Sequence, residues 1–173
     1  MNTSIIGVEE VLGDPKGAVQ HLLDADIYGL TEAKVAYLGV DHVVIWVTLE
    51  PWAAPAAQGY PTERVAITVW ANGRIMAVPA NANRPWLHRF PQAFPGQLIQ
   101  ELCLWYPKDP KALRWTWSDG LVAYITVVHR HVQAEECWRR HGVWPGEDAP
   151  HGEGDHPILT PALRYIAAQG DPA

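Results

Sequence analysis

The sequence predicts an α+β domain in which a four-stranded antiparallel meander is flanked by helices. Three observations predict it. Lys34 to Val40, Val43 to Leu49, Arg64 to Trp70 and Arg74 to Val78 are strand-length segments rich in Val, Ile, Tyr and Trp, separated by turn signals. Apolar residues at helical spacing bracket them, over Val8 to Leu23 and again over Leu121 to Val132. The chain has 173 residues, 48% of them hydrophobic, enough for one domain with a substantial core and too apolar for a disordered class. A single domain over residues 1–173 is expected, with its core over about 8–150 and a polar tail over 151–173.

The elements follow in order. Val8, Val11, Leu12, Val19, Leu22 and Leu23 suggest helix, interrupted at Gly13-Asp14-Pro15. Asp14 is a suitable cap and Pro15 a suitable first residue for the second piece, which should end before Gly29. Asp41-His42 makes the first tight turn. Glu50 to Thr62 carries three prolines and a glycine, so a loop is predicted. Ala71-Asn72-Gly73 is a hairpin turn, because Asn-Gly supplies positive φ. From Pro79 to Lys111 prolines recur and regular structure is predicted to be scarce. Trp86, Phe90, Phe94, Leu104, Trp105 and Tyr106 need burial, so an ordered, extended functional segment is expected there. The clearest helix comes next, capped by Ser118 or Asp119. It carries Leu121, Tyr124, Ile125, Val128 and Val132 on one stripe and stops at Gly142. Pro145 to His156 reads as a polar, mobile stretch, and Pro161 to Ala168 as a last short helix.

Composition excludes several classes. The formal net charge is −6 and no long basic run occurs, which argues against nucleic acid as a partner. No apolar run approaches the ~20 residues that span a bilayer, so no membrane association is expected. No basic region precedes the short apolar run at the N-terminus, so a cytoplasmic location is expected. Nine Trp exceed what a core of this size needs and suggest a partner-facing surface as well. Two cysteines in a reducing compartment favour neither a disulfide nor a zinc site. No glycine-rich phosphate loop is present, and no cofactor is expected.

Cys103 is the central candidate. A thiol is reactive near neutral pH, and its thioester stays activated for a second transfer. The plain alternative is a buried structural cysteine between Leu102 and Leu104. Cys137, beside Glu135 and Glu136, is read as structural, because acidic neighbours disfavour a thiolate. His88 is either an orienting residue for the active loop or an exposed loop histidine. Asp109, six residues after Cys103, could steer or deprotonate an amine, or simply form a turn before Pro110. His131 lies one helical turn before Glu135, a pair that points to a surface contact rather than a metal site, and both His129 and His131 read as core or surface histidines. His151, Glu153, Asp155 and His156 read as a solvated tail rather than a metal cluster.

Around Cys103 the residues run His88-Arg89-Phe90-Pro91, Leu102-Cys103-Leu104-Trp105, Asp109-Pro110, Trp117-Ser118-Asp119-Gly120 and Trp144-Pro145-Gly146. With the element order, this resembles the ubiquitin-conjugating enzymes, and more closely their bacterial members from antiphage operons. The resemblance covers roughly Val35 to His151. It departs from the eukaryotic pattern in two places. The Asn that follows the family's His-Pro is missing, since Arg89 and Phe90 follow His88. An insert from Gln92 to Gln100 also lengthens the gap from His88 to Cys103.

The resemblance implies a ubiquitin-conjugating fold and a transferase that carries an acyl group as a thioester on Cys103. His88 would order the loop and Asp109 would assist the amine. The implied partners are an adenylating, activating enzyme and the C-terminal tail of a ubiquitin-like protein or of a nucleotidyltransferase. The acyl group would pass to an amine, in antiphage defence. Two other readings stand beside it: a non-catalytic adaptor with the same fold, and a Cys/His hydrolase using Cys103 and His88.

Overall fold

The computed structural model describes residues 5–81, 84–94, 97–105, 110 and 114–145, with backbone alone over 91–100. Two short helices open the chain, α1 (Val8–Gly13) and α2 (Pro15–Asp24). Asp14 caps α2, its carboxylate accepting a bond from Gly17 N at 3.0 Å, with Pro15 just inside as expected. Then come β1 (Leu30–Leu38), β2 (His42–Leu49), β3 (Glu63–Trp70) and β4 (Ile75–Pro79), paired antiparallel in sequence order. The meander is the predicted one, although β1 begins four residues earlier than its composition suggests. β1 is an edge strand and exposes Tyr37 and Leu38, and two register shifts interrupt its ladder.

Alternation on β2, and on β3 apart from the additionally buried Thr68, makes the core. Val43, Ile45, Val47 and Leu49 turn inward from β2, and Val65, Ile67 and Val69 from β3. One buried cluster joins them to Val11 of α1, Leu22 of α2 and a stripe on a long helix, α4 (Gly120–His141), formed by Leu121, Ile125, Val128 and Val132. Full burial of one such side chain contributes roughly 1.5–3 kcal/mol, so these two central strands carry much of the stability.

Three local expectations are corrected. The Glu50 to Thr62 loop contains a short helix, α3 (Ala53–Ala57), whose Pro55 lies within the first turn, where a missing N–H costs nothing. The Pro79 to Lys111 stretch is not irregular throughout: β5 (Arg89–Phe94) and β6 (Gln97–Leu102) pair as a separate two-stranded ribbon. In such a ribbon every strand has an open edge, so Pro91 can occupy β5 opposite Gln100. The insert Gln92 to Gln100 is therefore mostly strand. Asp119, one of the two expected caps, is the N-cap residue of α4, but its side chain makes no capping bond to that helix. Thr116 opens a 3-10 turn (Trp117–Asp119), and the Asp119 carboxylate reaches back to Thr116 N at 2.7 Å. At the other end Gly142 stops α4 as predicted, with φ of 70° and its N–H on Trp138 O.

Candidate functional site

His88 precedes β5 and Cys103 follows β6, so the ribbon brings residues fifteen apart in sequence into contact. Cys103 N donates to His88 O at 2.9 Å, one step beyond the Arg89 and Leu102 pair. Antiparallel pairing puts opposite residues on one face, so His88 and Cys103 share a face, as expected. Cys103 is buried, 5% exposed, and its S–H is directed toward Trp105 O at 3.5 Å. The expectation of a thiol open to solvent is thus not met. Cys103 is itself a buried residue, next to Leu102 of the apolar cluster. Neither Cys103 nor Cys137 forms a disulfide. Asp109 lies outside the described residues, as do His151, Glu153, Asp155, His156 and the expected last helix.

The base of the ribbon is held by α4. The Glu135 carboxylate, 0% exposed, accepts from Leu87 N at 2.8 Å and from His88 N at 2.7 Å. His131, one turn earlier, sets its Nε2 at 3.2 Å from His88 O and 3.5 Å from Glu135 Oε1. Burial pushes the Glu135 carboxyl up, but the imidazole and the two backbone N–H groups outweigh it and hold it below the ordinary glutamate range. Glu135 is therefore a carboxylate in a dry site. Trp144, just past α4, closes over the group, its ring centroid 4.0 Å from that of His88 and 5.5 Å from that of His131.

A second carboxylate does related work. Glu136 binds Arg84, Arg139 and Arg140, while Arg84 also binds Glu63 on β3. Arg139 lies over the buried Trp86 ring at 4.7 Å. The segment from Arg84 to His88 is thereby fastened to α4 by charge, ring and backbone contacts together. For Glu63 burial prevails, and its carboxyl is pushed up despite Arg84 and Arg139. For Glu136 burial acts upward too, but the arginines win and hold it down.

A cavity of about 600 Å³ adjoins this group. Its wall includes Trp52, Tyr60, Leu104, His131, Cys137 and Trp144. Trp52 is itself anchored, its Nε1 donating at 3.2 Å to Nδ1 of His129, whose Nε2 donates to Glu50 O. That pair of bonds requires a neutral His129, which burial also favours. Cys137 is half-buried in the cavity wall, consistent with a packing role.

No protein-family model, curated protein or solved structure matches this chain. Its chemistry therefore has to be read from its own geometry. Among the described residues no group of three His, Cys, Asp or Glu side chains could hold a metal ion, and no helix is long and apolar enough to cross a membrane.

The sequence reading singled out Cys103 and His88, and the ribbon brings them together. Of the two roles left open for His131, core or surface, the core one holds: its pairing with Glu135 is buried, and the bonds from Glu135 to the ribbon are what that reading missed. A signal was present. Val128, Val132 and Glu135 fall at i, i+4 and i+7, so a carboxylate occupies the apolar stripe of the helix. A charge in that register must be buried with partners.

Proposed function

We propose that this chain is an acyl carrier of the ubiquitin-conjugating type, which takes the C-terminus of a modifier protein from an activating enzyme as a thioester on Cys103 and passes it to an amine. One observation carries the reading. Cys103 stands at the open end of a two-stranded ribbon, tied to His88, after a four-stranded meander and before the 3-10 turn and α4. This order of elements, with Leu102-Cys103-Leu104-Trp105 at its centre, supports likeness to that family's fold. At 5% exposure the thiol cannot meet a partner's active site without local opening, so loading includes such a step.

The burial of Cys103 favours a second reading, an adaptor of the same fold that binds partners without carrying an acyl group. The two separate cleanly. Incubated with an adenylating enzyme, its modifier protein and ATP, the wild-type chain is expected to run as a thiol-sensitive adduct on non-reducing gels. Cys103→Ala should abolish it and Cys137→Ala should leave it. An adduct that survives Cys103→Ala ends the carrier assignment, and partner binding without any adduct establishes the adaptor.

A further inference from the structure

We propose that His131 is the catalytic base that takes a proton from an amine attacking the Cys103 thioester, and that the cavity beside it receives that amine. The proposal rests on the carrier reading above. Nε2 of His131 faces His88 O and Glu135 Oε1, at 3.2 and 3.5 Å. A carbonyl and an ionised carboxylate only accept, so Nε2 carries the hydrogen. This fixes the neutral tautomer with its lone pair on Nδ1. Among the described residues Nδ1 has no hydrogen-bond partner, and the ring lines the 600 Å³ cavity. Leu104, the residue after Cys103, lines the same cavity. Cys103 N and His131 Nε2 also bind one and the same atom, His88 O, so the thiol-bearing residue and the imidazole are fixed to a common point. A carboxylate that holds one imidazole nitrogen while the other is left toward a cavity, here one lined by the residue next to Cys103, is the arrangement a general base needs.

His88 and Glu135 touch His131, Arg139 lies behind Glu135 at 3.9 Å, the buried Arg89 of β5 acts on the same carboxylate, and Tyr60, Arg130 and Cys137 share the cavity wall. That wall holds a cation and, among the described residues, no carboxylate, which favours a neutral primary amine over its ammonium form. In the step itself the amine nitrogen attacks the thioester carbonyl carbon and a C–N bond forms. The nitrogen's proton passes to His131 Nδ1, the C–S bond breaks with its electron pair on Cys103 Sγ, and the imidazolium returns the proton to that sulfur. The products are an amide and a thiol, and nothing is oxidised.

A test needs no natural partner. The full chain is S-acetylated with p-nitrophenyl acetate, the site is located by peptide mapping, and discharge of acetyl-Cys103 to lysine is followed by mass spectrometry across neutral pH. His131→Gln keeps a donor toward His88 O but loses Nδ1; it should discharge about 10²-fold more slowly than the wild type. His131→Ala should be slowed similarly and regain rate when imidazole is added. Discharge of His131→Gln at the wild-type rate, or a slow His131→Ala that imidazole does not rescue, overturns the proposal and leaves the carrier intact. A chain whose Cys103 takes no acetyl group when folded, but does when unfolded, overturns the carrier reading itself.

Discussion

At the scale of single residues, Glu135 decides the most. Its carboxylate satisfies two buried backbone N–H groups at the base of the ribbon, and such groups are costly to leave bare. Glu135→Ala should lower the denaturant-derived stability by roughly 2–4 kcal/mol, since each orphaned donor costs about 1–3 kcal/mol. Its pH signature has a definite sign. The Glu135 carboxyl is held below the ordinary glutamate value of 4.5, so the folded state binds this proton less tightly than the unfolded state. The stability it contributes is fully present above about 4.5 and is lost as pH falls through the depressed value. Glu135→Gln should therefore flatten the acid limb of a stability–pH curve. Glu63, whose carboxyl is pushed above 4.5, works the other way: its contribution is present below 4.5 and is lost as pH rises through the raised value. Glu63→Gln should accordingly flatten a decline on the higher side of 4.5. If urea titrations of the two variants show the same change, the assignment of opposite shifts is wrong.

At the scale of elements, the C-terminal stop of α4 reaches into the site. Gly142 has φ of 70°, where a side chain is strained, and a methyl group there would meet nothing within 4 Å. The cost of Gly142→Ala is therefore backbone strain alone, about 1 kcal/mol, and Gly142→Asn should cost less because Asn tolerates this conformation. Two residues on, Trp144 packs at a tilt against His88, so Gly142→Ala should also alter tryptophan fluorescence. An unchanged denaturation midpoint would mean that the turn relaxes freely. The ribbon is the other telling element. Prolines masked it in the sequence, because the rule that excludes proline from strands weakens when both strands are edges.

At the scale of the whole molecule, stability is unevenly spread. β2 and β3 lie inside the sheet and send seven fully or almost fully buried side chains into one cluster, whereas β1 has one open side and β5–β6 form a ribbon of two. Amide exchange should accordingly be slowest at Ile45, Val47 and Ile67 and much faster in β5 and β6. The site sits where these regimes meet, with α4 on the firm side and Cys103 at the end of the softer ribbon. That placement suits a thiol that must uncover itself. Equal protection of ribbon and central strands would contradict it.

The meander, the break at Asp14, the long helix with its stop at Gly142, and the prominence of Cys103 are all legible in the chain itself. All of these are written in short-range signals: alternation, helical spacing, caps and turns. Tertiary structure alone decided what surrounds the thiol. Glu135 meets Leu87 and His88 across 48 and 47 residues, and His131 meets His88 across 43. Local patterns encode which face of α4 is buried, and a carboxylate in that stripe announces that it needs partners. Which amides it finds depends on how the helix docks against the ribbon, and docking is set by packing the whole core at once.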